Sequence, residues 1–325
     1  MDWGDIARQS EAAGDDPTKK KTIVNTIDGR PNSDSIESPD HQRLYERRES
    51  YPMGVVPSQA CVLTAGVDIQ ARRIECEIVG WNEKLESWSV LYQVLDGDTN
   101  QVDVWNRLRE VLDLEYETEI GARLPVEVAC IDSGYNTDSV YSFVRGQSRF
   151  LAVKGSHSSP GLVGSPTAVD LGPDGKKLHR GVRLWSVNVS RAKEDLYRDL
   201  QLPVPDLEAN QPYPAGFLHF PQYGVEFFEQ LCAERQVLRH GSDGFTTRAW
   251  EKTRERNEAL DCRVYAIAAR VIRGIDRWRP EDWAARRKAI LGQVRAMKIN
   301  ESHPSEIPKI IQQGHERKVR FRQSQ

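Results

Sequence analysis

The chain has 325 residues, of which 38% are hydrophobic and 29% are charged, and its formal net charge is −3. This composition is typical of a water-soluble globular protein with room for one large domain and flanking segments. No run approaches the roughly 18 consecutive apolar residues of a membrane span, and the polar start lacks a signal-peptide core, so we expect a cytoplasmic protein that is neither secreted nor membrane-bound.

The N-terminal part of the chain is polar and rich in turn residues. Residues 1–60 contain a run of three lysines and a stretch rich in Ser, Asp and Pro, and we interpret them as a connector. The pattern changes at Cys61, where apolar runs of strand length begin. We therefore predict three parts: a connector over 1–60, a domain over 61–275 and a basic tail over 276–325.

The first half of the domain has the pattern of an antiparallel meander followed by a helix. Cys61–Asp68, Arg73–Trp81 and Trp88–Leu95 are predicted strands, and Asn82 begins a turn between the last two. Apolar residues at helical spacing predict a helix over Val102–Leu112.

The order of the next elements indicates the fold class. Val126–Asp132 is a predicted strand, Ser139–Gly146 a helix and Phe150–Lys154 another strand. Three meander strands, a helix, a strand, a helix and a strand form the order of the ribonuclease H type core. We therefore predict an α/β fold, a ribonuclease H-like mixed sheet with helices on both faces, in which the first and fourth strands are neighbours.

The remainder of the domain is predicted to alternate between strands and helices. The expected elements are a strand at Val182–Val189, a helix at Ser190–Leu200, a short strand at Phe217–Phe220, a helix at Gly224–Leu238, a strand at Thr246–Glu251 and a helix at Asn257–Ile272. In the last helix, the apolar residues Leu260, Val264, Ile267 and Val271 recur at helical spacing and are expected to face the sheet.

Two aspartates follow apolar runs of the same form. Asp68 ends the first predicted strand and Asp132 ends the fourth, and turn residues follow each of them. If these strands are neighbours, like charges meet at one edge, where protonation or a bridging cation must relieve their repulsion. This pair is a candidate metal site. An aspartate before a turn can also cap backbone amides, so each has a structural interpretation as well.

Several segments together resemble a known family. They are Val67–Gln70, Ile131–Thr137, Lys154–Gly155, His179–Val182 and Asn257–Cys262. In order and spacing they are similar to the nuclease domain of the large terminase subunit of tailed phages, in the branch typified by the packaging enzyme of phage lambda. The resemblance covers roughly residues 61–275.

The resemblance implies an activity and a set of site residues. It implies a metal-dependent DNA endonuclease that cuts concatemeric viral DNA during genome packaging, by two-metal phosphodiester hydrolysis. Asp68 would bridge two Mg²⁺ or Mn²⁺ ions, Asp132 would bind one and Asp261 the other, and Glu258 is a candidate fourth ligand. Asp261 also has a structural interpretation, because acids in a first helical turn interact favourably with the helix dipole.

Basic residues near the predicted site are candidates for contacts with double-stranded DNA. Lys154 ends a strand beside the site, and Lys176, Lys177 and Arg180 lie in a Gly/Ser/Pro-rich loop. Such contacts to phosphate fix position without reading sequence; the alternative is a solvated charged face. By resemblance, the protein partners are the small terminase subunit and the portal. The tail over 276–325 could bind DNA or the portal, and we expect its Trp278 and Trp283 to be exposed.

Some features depart from the full-length family or leave alternatives open. No segment fits G-x-x-x-x-G-K-[ST], so we expect no ATPase motor in this chain, which would be an excised nuclease domain or a gene for this half alone. His157, His179 and His219 are expected in loops or on the surface. The alternative functions are a non-catalytic module that docks DNA or the portal, and another ribonuclease H-like enzyme such as a resolvase or a transposase.

Overall fold

A computed structural model describes residues 38–156, 161–169, 181–240 and 246–302. The strands, in chain order, are β1 Val62–Ile69, β2 Arg73–Trp81, β3 Ser87–Asp96, β4 Glu115–Glu117, β5 Arg123–Asp132, β6 Phe150–Ser156, β7 Thr167–Ala168, β8 Arg183–Asn188, β9 Leu218–His219, β10 Glu234–His240 and β11 Thr246–Lys252. The helices are α1 His41–Glu46, α2 Val102–Asp113, α3 Thr137–Val144, α4 Val189–Leu200, α5 Val225–Leu231, α6 Glu258–Arg273 and α7 Pro280–Ser302, with a 3₁₀ turn at Ile275–Arg277.

A mixed sheet of nine strands forms the centre of the molecule, in the order β7-β8-β6-β5-β1-β2-β3-β9 with β4 beside β5. Strands β1, β2 and β3 are an antiparallel meander, whereas β5, β6 and β8 run parallel to β1. The predicted neighbours, the first and fourth strands of the core, are β1 and β5. The predicted α/β mixed sheet is confirmed.

Helix α6 covers one face of the sheet. The hydroxyl of Thr64 in β1 donates a hydrogen bond of 3.0 Å to the carbonyl oxygen of Ala266 in α6. Nearly every side chain from Glu258 to Ala269 is buried, whereas a single buried stripe of apolar residues was predicted. The helix is buried on several sides because α6 contacts not only the sheet but also α4 and α5. An α-helix that is buried on all sides can place a residue of its first turn firmly against the sheet.

Helices α2 and α3 cover the opposite face. Register pairs Ala65 with Ala129 and Ala129 with Phe150, so Phe150 points away from the face that carries Thr64. The Phe150 ring stacks on Phe143 of α3, and Phe143 contacts Trp105 of α2. Helices on both faces, as predicted, are therefore confirmed.

The predicted helix over Gly224–Leu238 is wrong in its second half. The helix ends at Leu231, and Glu234–His240 pairs with Thr246–Lys252 as the antiparallel hairpin β10-β11. The first three residues of β10 alternate in exposure, with Glu234 and Gln236 buried and Arg235 exposed. Because the buried residues are polar, the sequence lacks the alternation of apolar and polar residues that predicts a strand. The strand forms here through pairing with β11.

Both flanks of the predicted domain pack onto its core within the described residues. Leu44 of α1 and Val56 are buried in the main hydrophobic core, although residues 38–60 were predicted to be connector. Trp283 of α7 has only 3% of its surface exposed, so its predicted exposure is wrong. His219 is also buried, at 2% exposure, stacked on Trp88 at 4.7 Å, which corrects its predicted surface position.

Among the described residues, none of the helices has both the length and the apolar character needed to cross a bilayer.

Candidate active site

Two aspartates stand at the same edge of the sheet, where β1 and β5 end. Parallel register pairs Val67 with Ile131, so Asp68 and Asp132 follow as neighbours. Asp68 is 4% exposed and accepts a hydrogen bond of 2.6 Å from Nε2 of Gln70. The sheet therefore brings together two carboxylates that the sequence predicted to meet.

The electrostatics of this edge favour neutral carboxyl groups or a nearby cation. Burial, followed by the charge of Asp261 and then that of Asp132, raises the pKa of Asp68 to about 8. Burial also raises the pKa of Asp132, against the opposing hydrogen bonds from the amide of Gly134 and the hydroxyl of Tyr265. In both aspartates the opposing contacts do not offset burial, so a bound cation would stabilise the charged carboxylates.

Helix α6 supplies the third carboxylate because it lies unusually close to β1. A Cβ built on Gly66 would stand 1.8 Å from the carbonyl oxygen of Cys262, so only glycine permits this approach. The next residue of α6, the fully buried Arg263, forms an ion pair with the equally buried Glu77 of β2. These contacts fix the first turn of α6, which carries Asp261, against the ends of the strands.

Asp261 is held at both of its carboxylate oxygens. Nζ of Lys193 lies 3.4 Å from Oδ1, and Nδ2 of Asn257 donates a hydrogen bond of 2.9 Å to Oδ2. Burial raises the pKa of Asp261, and the ammonium group of Lys193 opposes this shift. Asp261 and Asp132 both lie close enough to Asp68 for their charges to raise its pKa.

Glu258, the candidate fourth ligand, is engaged elsewhere. Its Oε1 lies 2.5 Å from Nη2 of Arg73, and its Oε2 lies 3.3 Å from Nε of Arg256. Both arginines also bind the fully buried Glu75. Two guanidinium groups therefore already satisfy the charge of Glu258.

The chemistry of the donor set fits a divalent cation of the magnesium type. Carboxylate oxygens are hard ligands, and a buried cluster of them is stabilised by a bound cation. Among the described residues, however, no three Asp, Glu, His or Cys side chains stand close enough together to hold a metal ion as they are placed here. The aspartates instead use protein partners, with Gln70 on Asp68, Tyr265 on Asp132 and Lys193 on Asp261.

Of the four basic residues predicted to contact DNA, only Lys154 is described. It is exposed on β6, one position beyond the residue that pairs with Asp132, and its charge lowers the pKa of Asp132. Lys176, Lys177 and Arg180 lie outside the described residues.

Sequence reasoning did not place two further side chains, those of Tyr265 and Lys193, beside the aspartates. Tyr265 lies one turn after Asp261 and donates to Asp132. Lys193 lies on the buried face of α4, between Ala192 and Leu196. A lysine inside an apolar helical stripe is a signal that a buried acidic partner must exist, although the sequence does not say which acid it is.

Comparison with known proteins gives consistent results. A family described as "Terminase large subunit gpA, endonuclease domain" matches residues 1–283. The chain is 33% identical over 284 residues to the terminase large subunit of Escherichia phage lambda, covering 85% of this chain and 42% of that protein. It is 28% identical over 281 residues to the corresponding subunit of Enterobacteria phage P21, covering 85% and 41%. The chain thus spans about two fifths of the length of these relatives.

Two solved structures of the large terminase nuclease from thermophilic phage G20c are also similar to the chain. One has a TM-score of 0.34 with 11% identity and covers 64% of this chain and 81% of that chain. The other, with bound magnesium, has a TM-score of 0.36 with 9% identity and covers 64% and 80%.

Proposed function

The chain belongs to the family of terminase large-subunit endonuclease domains, and from that premise we propose that it hydrolyses phosphodiester bonds of double-stranded DNA. The family was recognised from the motifs around Asp68, Asp132 and Asp261, and the recognition is confirmed. The observation that carries the proposed activity is the convergence of these three aspartates where β1, β5 and the first turn of α6 meet.

In this proposal the three aspartates hold Mg²⁺ or Mn²⁺, in the two-ion arrangement that the family resemblance implies. Such ions supply a water activated for attack on phosphorus and stabilise the leaving oxygen. The protein contributes fixed ligands: Gln70 orients Asp68, Tyr265 orients Asp132, and Asn257 with Lys193 orients Asp261. Because Glu258 is paired with two arginines, we assign it a structural role at the start of α6.

The substrate follows from the charges around the site and from the family. Exposed Lys154 beside Asp132 suits a contact with a DNA phosphate, which would place the backbone over the carboxylates. We propose that the cut separates concatemeric viral DNA into packaging units in the cytoplasm of the bacterial host. The small terminase subunit and the portal are the proposed protein partners.

The decisive test is cleavage of a supercoiled plasmid. With Mg²⁺ or Mn²⁺ the protein should produce nicked and linear DNA, and EDTA should abolish the reaction. Asp68→Asn, Asp132→Asn and Asp261→Asn should each reduce the rate by about 1,000-fold or more, because each removes a charged ligand. Linear duplex should be cut as well, without branch preference or strand transfer, which separates this activity from that of a resolvase or a transposase.

The matched control is Asp103→Asn, which alters an exposed aspartate of α2 that pairs with Arg107. It should cleave like the wild type. An inert wild type in both metals would favour the non-catalytic docking module, and equal cleavage by the three aspartate variants would disprove the assigned site.

A further inference from the structure

Lys193 of α4 is a buried lysine placed between two acids. Its side chain is 8% exposed, and its Nζ lies 2.8 Å from Oε1 of Glu234 and 3.4 Å from Oδ1 of Asp261. A buried ammonium group is tolerated only where opposite charge and hydrogen bonds compensate its lost hydration. Glu234 is itself buried, at 4% exposure, and gives Lys193 a partner of its own. Because Glu234 balances the charge of Lys193, the contact between Lys193 and Asp261 leaves the Asp261 carboxylate able to bind another cation.

Asn257 completes the arrangement, and its orientation is determined by a neighbour. Nζ of Lys252 donates a hydrogen bond of 2.6 Å to Oδ1 of Asn257. Because a lysine ammonium group can only donate, the amide Nδ2 must point the other way. Nδ2 donates to Oε1 of Glu234 at 2.8 Å and to Oδ2 of Asp261 at 2.9 Å. Lys193 and Asn257 thus contact different oxygens of Asp261.

The partners of Asp261 are fixed to the fold. Tyr197 lies one turn after Lys193 on α4, and its hydroxyl donates to the carbonyl oxygen of Glu234 at 3.0 Å. The amide of Glu234 donates back to the same hydroxyl at 3.2 Å. Helix α4 and the start of β10 therefore form one frame around Asp261. Among the described residues each oxygen of Asp261 contacts one of its two partners, Lys193 or Asn257, and since a carboxylate offers about four acceptor sites, both oxygens can accept further contacts.

We propose that Lys193 is a positioning residue for the reaction, which together with Asn257 fixes the Asp261 carboxylate at the edge where Asp68 and Asp132 end. This inference rests on the proposed function, since it assigns Lys193 a task for one of the proposed metal ligands. Lys193 acts through Asp261 and is not itself expected to touch DNA.

The test separates positioning from simple stability by removing both members of the ion pair. Lys193→Met alone removes the ammonium group that contacts both Glu234 and Asp261, and it should destabilise the protein. Lys193→Met combined with Glu234→Gln removes one positive and one negative charge, so the net charge of the site stays as in the wild type. The double variant should regain most of the lost stability, measured by urea unfolding in EDTA.

The same double variant should remain defective at the site. We expect plasmid cleavage at saturating Mg²⁺ to fall roughly 10- to 100-fold and Mn²⁺ affinity, measured by calorimetry, to fall within the same range, as happens when a group that orients a metal ligand is lost. Lys193→Arg keeps the charge but replaces the compact ammonium group with a larger planar guanidinium group, which displaces the contacts to Glu234 and Asp261, so it should be stable yet slow. Arg235→Met, which breaks an exposed ion pair with Glu251 on the same hairpin, is the control and should match the wild type.

The possible outcomes are distinct. If the double variant cleaves DNA and binds Mn²⁺ like the wild type, Lys193 is only a stabilising residue and the inference is overturned. If the wild type cleaves nothing with either metal, the proposed function fails, and the Mn²⁺ titrations of wild type and double variant still report on Asp261. If the methionine variants do not fold, Lys193→Arg decides: normal cleavage by a stable arginine variant contradicts positioning.

Discussion

At the scale of single residues, Asp68 occupies the least favourable environment for a negative charge among the three aspartates of the site. It is buried, it faces other carboxylates, and one amide hydrogen bond from Gln70 does not offset these effects, so its pKa rises from 3.8 to about 8. A carboxyl group that binds its proton more tightly in the folded state than in the unfolded state makes stability fall as pH rises between those two values. Burial of the Asp68 carboxylate therefore lowers the stability of the metal-free protein.

This argument predicts that Asp68→Asn stabilises the metal-free protein. Asparagine has no charge to bury, so the advantage of the variant should grow from about pH 4 to about pH 8 by as much as ~1.4 kcal/mol per pH unit and then level off. The measurement is urea unfolding of both proteins in EDTA across that range. A difference in stability that does not change with pH would contradict the raised pKa of Asp68.

At the scale of secondary-structure elements, the closeness of α6 to β1 decides whether the third aspartate reaches the site. The absent side chain of Gly66 makes this contact possible, and the hydrogen bond from Thr64 to Ala266 and the ion pair of Glu77 with Arg263 fix it. Because protein interiors are close-packed, an added methyl group here cannot be absorbed by a rotamer change, since the obstacle is helix backbone.

Gly66→Ala should therefore lower the free energy of unfolding by about 3 kcal/mol or more, at the upper end of overpacking costs. It should also reduce cleavage, because α6 and Asp261 move away from β1. The matched substitution Gly292→Ala lies in α7 with open space around the new methyl group, and it should stabilise the protein by about 0.5–1 kcal/mol. Chemical denaturation of the two variants measures the sign of each change in the free energy of unfolding. If Gly66→Ala is as stable as the wild type, the close approach of α6 to β1 is refuted.

At the scale of the whole molecule, α7 contacts the sheet at the edge opposite the aspartates, where β1 and β5 begin. Nε of Arg286 donates to the carbonyl oxygen of Cys61 just before β1, at 3.1 Å, and Oε1 of Gln293 accepts from the amide of Arg123 at the start of β5, at 3.0 Å. Trp283 is buried and contacts the ring of Trp278 edge to face. This part of the predicted tail therefore packs as a structural element of the domain.

Trp283→Ala tests whether α7 unfolds together with the sheet. Loss of a buried tryptophan should lower the free energy of unfolding by about 3–5 kcal/mol in a single urea transition. Leu291→Ala, at an exposed position of the same helix, should change it by less than about 0.5 kcal/mol. If Trp283→Ala leaves the main transition unchanged, α7 is an appendage and the boundary predicted near residue 275 is correct.

The local pattern of the chain determined the core of the fold and its acidic residues. The apolar runs before Asp68 and Asp132, the meander between them and the helical spacing around Asp261 are features of neighbouring residues, and the order of these elements made β1 and β5 adjacent. Because a strand end places its side chains predictably, the sequence could indicate that Asp68 and Asp132 approach each other, whereas Asp261 was implied as their third partner by the family resemblance.

Tertiary structure decided everything that depends on partners distant in the chain. The hairpin β10-β11 exists through pairing across strands, and although β11 was predicted as a strand, the polar sequence of β10 carried no signal for one. Lys193, Tyr265 and the ion pairs of Glu258 gain their roles only when α4, α6 and the sheet pack together, and Trp283 is buried only because α7 returns to the sheet. The physical reason is that burial and charge compensation are properties of three-dimensional neighbours, whereas periodicity records only the neighbours along one element.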